Sequence, residues 1–448
     1  MAKGFRNPNL TRARPLGYWI GLAAVFMLVF FSYLTMSRTN SMRIPVGGPS
    51  EFVKHVERNP ICDLSNNKSD ICEANGDVRI IGKDIRMVFV APQSIDIKEN
   101  DSWTIKPYAR KWDEGSGARV RPVTLKLVYG HPEDKPCLIN HTVPAMVFAI
   151  GGWSGTNYFH DFVDVLVPLF ETAHPFGGEV QFLIANMDPQ FMNKYKLFFK
   201  KLSRYDFIGY DNDDRIHCFQ HVTLGLRCTS TDDFQMEPSK SPHGYTMFHF
   251  ANFMRSVFSL EREYPVNLKD AGQSKKPKLM IITRINTRKF MNVEEILNLA
   301  QEVGYEVVIT EGDSDLSKFS RIVNSCDVLM GVHGSALTNM VFLPTNGVVI
   351  QVVPWGNLDW IAGHYFREPA KQMKLNYLEY SINEEETTLT ELYPRDHAVF
   401  KDPMSLHPQN ANWETFSRIF LKEQNVRLDV KRFKPFLEHA LQIFGEQQ

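Results

Sequence analysis

Four short apolar runs, LMIIT (279–283), YEVVIT (305–310), CDVLMGV (326–332) and GVVIQVVP (347–354), recur in the second half of this chain. Between them lie stretches with helical apolar spacing: NVEEILNLAQEVG (292–304), about 314–325, and a segment starting at Ser335 or Ala336. Continuous apolar runs suit strands covered on both faces, and amphipathic helices between them supply the cover. The expected product is a doubly wound α/β domain with a parallel sheet, which leaves few other folds open.

Such a sheet binds ligands beyond the carboxyl ends of its strands. The corner Gly331–Ser335 (GVHGS) lies at one of those ends. Glycine allows backbone to approach a ligand closely. The following helix offers free N–H groups and a positive dipole end, with Ser335 suited to cap it. His333 then points where a phosphate would sit. Upstream, RINTR places Arg284 and Arg288 just past the strand end at Thr283, on the same rim. Two arginines and a helix N-terminus at one crevice read as a diphosphate cradle. The competing reading is a tight turn with a packed histidine and two surface arginines.

The first half carries strand-like runs at VRIIG, RMVFVAP and TLKLVYG. The buried strand PAMVFAIGG (144–152) then runs into a glycine corner, Gly151–Gly152, followed by the helical TNYFHDFVDVLVPLFETA. Asn157, His160 or Asp161, and Asp164 share one face of that helix by i, i+3 and i+4 spacing. A histidine one turn from a carboxylate can serve as an oriented general base, and Asp164 and Asp161 are alternatives for the same task. The other reading is a capped helix with solvated charges. A strand at VQFLIANM and a helix over 190–204 follow, and 264–277 turns polar, as a linker would.

Net charge is −1, so no global field points to nucleic acid. Leu16–Met36 is a 21-residue stretch without a charge, preceded by Lys3, Arg6, Arg12 and Arg14. About 20 residues cross a bilayer as a helix, and flanking positive charge stays cytosolic. The expectation is a cytosolic tail (1–15), a signal anchor (16–36) and a stem (37–60), with the rest lumenal; a cleaved signal peptide is the alternative. Asn67, Asn100 and Asn140 begin glycosylation triplets on the lumenal side. Six cysteines suit an oxidising lumen. Cys62 with Cys72 and Cys218 with Cys228 are the natural local pairs, and Cys326 reads as a buried thiol. No zinc spacing occurs. Asp-x-Asp triplets at 211–213 and 313–315 keep a metal-dependent reading open, although the arginine cradle needs none.

GVHGSALTN, with RINTR before it and NYFHDFVD far upstream, resembles the family 61 glycosyltransferases of the secretory pathway. The likeness spans roughly residues 55–445. It implies a GT-B-like arrangement behind an N-terminal transmembrane helix: two Rossmann-like domains facing a cleft. Their expected bounds are an acceptor-side domain over 61–263, a linker over 264–277 and a nucleotide-sugar domain over 278–448. It implies an inverting Golgi membrane enzyme that moves a pentose, xylose favoured over arabinofuranose, from a UDP-sugar onto xylan. His160, Asp161 and Asp164 are the implied catalytic set, with Asn157 on the acceptor side. Arg284, Arg288, His333, Gly334, Ser335, Asn339 and Gln351 form the implied nucleotide-sugar set. Related proteins often carry an acid where this chain has Gln351, whose amide can still bond ribose hydroxyls. No cofactor or metal is implied; complexes with other Golgi transferases are. An inactive transferase-like scaffold, a transferase acting on N-glycans or protein, and a glycan hydrolase are the other classes, the last having no need of a phosphate cradle.

Overall fold

Two sheets carry the architecture. A computed structural model of the chain describes residues 61–83, 86–91, 101–129, 136–229, 234–269 and 275–446. The expected tail, anchor and stem, with Asn100, lie outside these residues. Among the described residues no helix is long and apolar enough to cross a membrane.

The second sheet has five strands: β11 (Lys278–Ile282), β12 (Glu306–Thr310), β13 (Val328–Val332), β14 (Val348–Val353) and β15 (Asn376–Ser381). All are parallel, in the order β12-β11-β13-β14-β15. Alternate side chains on these strands enter two separate cores: Met280, Ile282, Leu329 and Val349 go to one, and Leu279, Ile281, Val328, Met330 and Ile350 to the other. This is the two-sided burial that continuous apolar runs predict. Helices Val293–Val303 and Val430–Glu446 cover one face; Leu316–Asn324 and Ser335–Phe342 cover the other. The chain goes from β11 outward to β12, then returns to the far side of β11 as β13. The sheet therefore has its switch point between the ends of β11 and β13. Strand β15 and the short helices over 384–424, which form a small core around Phe416 and Phe420, had no clear apolar period.

The first sheet differs from expectation. Its ten strands are β1 (Cys62–Asp63), β2 (Ile71–Ile81), β3 (Arg86–Ala91), β4 (Ser102–Ile105), β5 (Val123–Tyr129), β6 (Ile139–Asn140), β7 (Ala145–Ala149), β8 (Gln181–Ala185), β9 (Ile208–Gly209) and β10 (Ile216–Gly225). The main order is β4-β5-β3-β2-β10-β7-β8-β9, with β1 on β2 and β6 on β10. β10, β7, β8 and β9 form a continuous parallel set, with β6 parallel on β10 and β3 parallel to β5; β2 runs antiparallel to both β10 and β3. The sheet is mixed, because no helix-length segment separates β2 from β3. The helix expected over 190–204 is two, Pro189–Lys194 and Lys196–Leu202, parted at Tyr195.

The helices and strand faces that look away from the Phe433 side of the second sheet pack into the same core as the first sheet. The described residues accordingly form one compact unit. Cys62 and Cys72 sit opposite each other on β1 and β2 and are disulfide-bonded. Cys218 bonds Cys137, not Cys228. The reason is geometric: Cys218 is near the start of β10 and Cys228 lies beyond its end. At about 3.3 Å per strand residue they are held far apart. Cys326 is a buried thiol whose pKa burial pushes up to about 11. Asn67 and Asn140 are both exposed.

Candidate active site

At the switch point the chain leaves β13 through His333 and Gly334. Gly334 has φ 151°, and a Cβ placed there would lie 2.6 Å from Arg284 Nη1 and 3.4 Å from Arg288 Nη1. Glycine suits this φ, which other residues rarely adopt, and its missing side chain lets two guanidiniums lie against the corner. Arg284 donates through Nε to the Thr287 carbonyl at 2.8 Å, and Arg288 Nη1 donates to the His333 carbonyl at 3.0 Å. Arg288 itself has φ 54°. Its Nε is sealed from solvent without a partner. Among the described residues, neither guanidinium has a carboxylate within ion-pair distance. Burial lowers the pKa of both; Arg288, with Arg284 beside it, falls to about 9. Two adjacent, half-desolvated cations without a counter-ion are costly, and a dianionic ligand would relieve that cost.

Ser335 does not cap an α-helix. Ser335–Phe342 is a 3₁₀ helix with Gly334 at its N-cap, and no side chain caps it. No side chain therefore covers its first N–H groups. His333 is buried, and desolvation with the two arginines drives its pKa down to about 3, so the ring is neutral. Its Nδ1 lies 2.8 Å from Gln351 Nε2. Gln351 is 0% exposed, with its other amide atom 3.0 Å from the Tyr377 hydroxyl. The side chain expected to bond ribose is therefore sealed between His333 and Tyr377. Tyr377 in turn donates to Glu379, which pairs with Arg367.

The opposing wall comes from the helical stretch over 158–173, which follows β7. It begins with an α turn, Tyr158–His160, and widens to a π-helix over Asp161–Leu166. Pro168 explains the widening, since it has no N–H for the Asp164 carbonyl and its ring crowds that oxygen. His160 Nδ1 is 3.0 Å from Asp164 Oδ2. A carboxylate only accepts, so Nδ1 carries a proton, and it is the neutral ring that presents a lone pair at Nε2. The His160 side chain is 20% exposed and that of Asp164 1%. Asp164 also accepts from Tyr108 OH at 2.7 Å and Arg110 Nε at 2.9 Å. It orients the histidine and has no open face of its own. Asp161 is as deeply buried and is turned elsewhere: it accepts from Gly155 N, Lys194 Nζ and Tyr195 OH. Both aspartates are thus buried and engaged by protein donors, whereas the histidine is partly open. Asn157 is exposed and caps the helix through Phe159 N.

The two walls touch. Tyr158 OH donates to Asn339 Oδ1 at 2.8 Å, so Asn339 ties the halves together. Phe159 packs on Phe366, whose ring lies 5.5 Å from that of His333. Beside this seam is a cavity of about 520 Å³ lined by Tyr158, Lys194, Ile282, Gly312, Ser335 and Asn339. That size suits a drug- or nucleotide-sized ligand. The Asp-x-Asp triplets are engaged structurally: Asp211 accepts from Asn186 N, Asp213 pairs with Arg215, Asp313 pairs with Lys318, and Asp315 caps a helix. Sequence reading missed Tyr108, Arg110 and Lys194. They lie in segments without a motif, and only the packing brings them to the site.

Fold and corner together define an α/β protein with two buried arginines at its switch point. The glycosyltransferase 61 family model matches residues 158–350, which include His160, both arginines and the corner. The rice (Oryza sativa subsp. japonica) α-1,3-arabinosyltransferase XAT2 is 46% identical over 86% of this chain and 64% of its own length. The rice β-1,2-xylosyltransferase XYXT1 is 37% identical over 94% of this chain and 95% of its own. The Arabidopsis thaliana xylan glycosyltransferase MUCI21 is 32% identical over 85% and 78%. The chain spans just under two thirds of the length of XAT2 and of its rice counterpart XAT3. The chain belongs to glycosyltransferase family 61.

Proposed function

We propose that this chain is an inverting glycosyltransferase that moves a pentose from a UDP-sugar onto the xylan backbone as a side-chain substituent. The observation that carries the proposal is the pair of uncompensated guanidiniums at Gly334. They suit the diphosphate of a sugar nucleotide, held across from an oriented histidine. Relatives named as xylan-modifying and pentose-transferring enzymes support the substrate class.

In this reading His160 Nε2 removes the proton of the acceptor hydroxyl as it attacks the anomeric carbon. Asp164 stabilises the imidazolium that forms, and Arg110 balances Asp164. The charge growing on the leaving UDP falls to Arg284, Arg288 and the open N–H groups after Gly334, a preorganised set that needs no metal. A neutral His333, held by Gln351, supplies a hydrogen-bonding ring there without adding a third positive charge. One displacement inverts the anomeric centre. The GT-B-like pairing of two domains, the anchor at 16–36 and Golgi residence belong to the same proposal. Xylose is preferred as the sugar, and arabinofuranose is its competitor.

A donor screen with the purified protein on xylo-oligosaccharides tests it, with product linkage read by NMR. Transfer of a pentose from its UDP-sugar with inversion is expected. UDP binding without transfer from any donor would leave only a scaffold, and no UDP binding would remove the cradle.

A further inference from the structure

Trp153 lies on the loop between β7 and the 158–173 helix, seven residues before His160. Its indole is built in. Nε1 donates to Asp113 Oδ2 at 2.8 Å, and the Arg119 guanidinium lies over the ring at 4.3 Å. Asp113 is itself fixed, because its other oxygen accepts from Ser116 N at 2.9 Å. The loop is wedged as well: Gly152 has φ 59°, and a Cβ there would meet Ser116 Oγ at 2.3 Å and the Tyr108 ring at 2.6 Å. Tyr108 is the residue that donates to Asp164. The loop with Trp153 and the pair with His160 thus share one support. The two rings are 6.5 Å apart, tilted by 42°. Yet Trp153 belongs to none of the hydrophobic cores and keeps part of its surface open.

A large aromatic held this firmly beside a base, and not used for the core, calls for a ligand. Arg119 covers one face of this indole, so a ligand meets the part of the ring that stays open, and an indole offers flat apolar surface at low conformational cost. Neutral pyranose rings present C–H faces that match it, with hydroxyls around the edge. A sugar resting on Trp153 presents those hydroxyls to the adjacent imidazole. Trp112 is exposed next to Asp113, with the Arg110 guanidinium 4.8 Å from its ring.

We infer that Trp153 is the acceptor platform, a specificity-determining residue that seats a neutral pyranose of the polysaccharide against His160. The inference rests on the transferase reading and adds the acceptor subsite to it. Full-length protein is assayed three ways: transfer to xylo-oligosaccharide, hydrolysis of the UDP-sugar by water without acceptor, and UDP affinity by calorimetry. Trp153→Ala should raise the acceptor KM about tenfold or more, the loss of one good contact. Hydrolysis and UDP affinity should stay within about twofold of wild type. An unchanged acceptor KM, or a parallel loss of UDP affinity, overturns the platform. If the alanine variant does not fold, Trp153→Phe gives a second reading: the intrinsic fluorescence change on titrating xylohexaose should largely vanish, and its full persistence overturns the inference. Failure of wild type to turn over any UDP-sugar would instead sink the transferase reading itself.

Discussion

Replacing Arg288 with glutamine should make the empty protein more stable and the site useless. The pKa of Arg288 falls from the ordinary 12.5 to about 9, through burial first and Arg284 second. At about 1.4 kcal/mol per unit, keeping it charged costs the fold at most about 5 kcal/mol. The bond to the His333 carbonyl returns about 1.5–3 kcal/mol of that. Arg288→Gln keeps a donor and removes the charge, so a net gain of about 2–3 kcal/mol is expected. The sign holds at working pH. A depressed basic group charges the full penalty below its folded pKa, and relief begins only above about 9. With about 2.1 cal/mol/K of unfolding entropy per residue over 448 residues, the melting temperature should rise about 2–3 °C. UDP affinity should fall about 10- to 150-fold, the worth of one charge-assisted bond. Differential scanning fluorimetry reads the first number and calorimetry with UDP the second. A variant that melts lower and binds UDP as before would mean that Arg288 serves the fold and not the ligand.

His160→Ala should cut turnover by roughly 10²–10⁴ while UDP affinity survives, because base and cradle lie on different walls. Asp164→Asn should lower turnover less than His160→Ala does, and should lower stability in a urea melt, since it removes the buried anion that accepts from Tyr108, Arg110 and His160. His333 should make the fold acid-sensitive. Its pKa drops from 6.5 to about 3, so the unfolded chain binds the proton first, and stability held above pH 6.5 is lost as pH falls toward 3. Urea melts at pH 7 and pH 5 should differ by about 2 kcal/mol from this residue, and His333→Gln should shrink the difference. Chelation with EDTA should leave transfer unchanged, and a complete loss restored by manganese would return the reaction to a metal.

Much of the second sheet was legible because burial on both faces demands continuous apolar runs, and helices with clear apolar spacing separate them. Thr283, Arg284 and the corner at Gly331–Ser335 could be placed at strand ends by the same argument. Periodicity also put His160 and Asp164 one turn apart. Local pattern could not tell which carboxylate faces a substrate. Asp161 and Asp164 look alike in sequence, and only the partners Tyr108, Arg110, Lys194 and Tyr195, drawn from other segments, show both to be occupied. Gln351, whose amide was expected to bond ribose, is sealed beneath His333. The Cys218 pairing depended on β10 staying extended and lying beside β6.

The sequence by itself determined where strands end, which helices alternate with them, and which residue types crowd the rim. Those are local properties, set by a period of two or 3.6 and by glycine's freedom at a corner. Tertiary structure alone decided the mixed order of the first sheet, the support behind each histidine and the absence of a counter-ion at the two arginines among the described residues. These depend on which distant segments meet, and burial and electrostatic cost are properties of that meeting rather than of any segment alone.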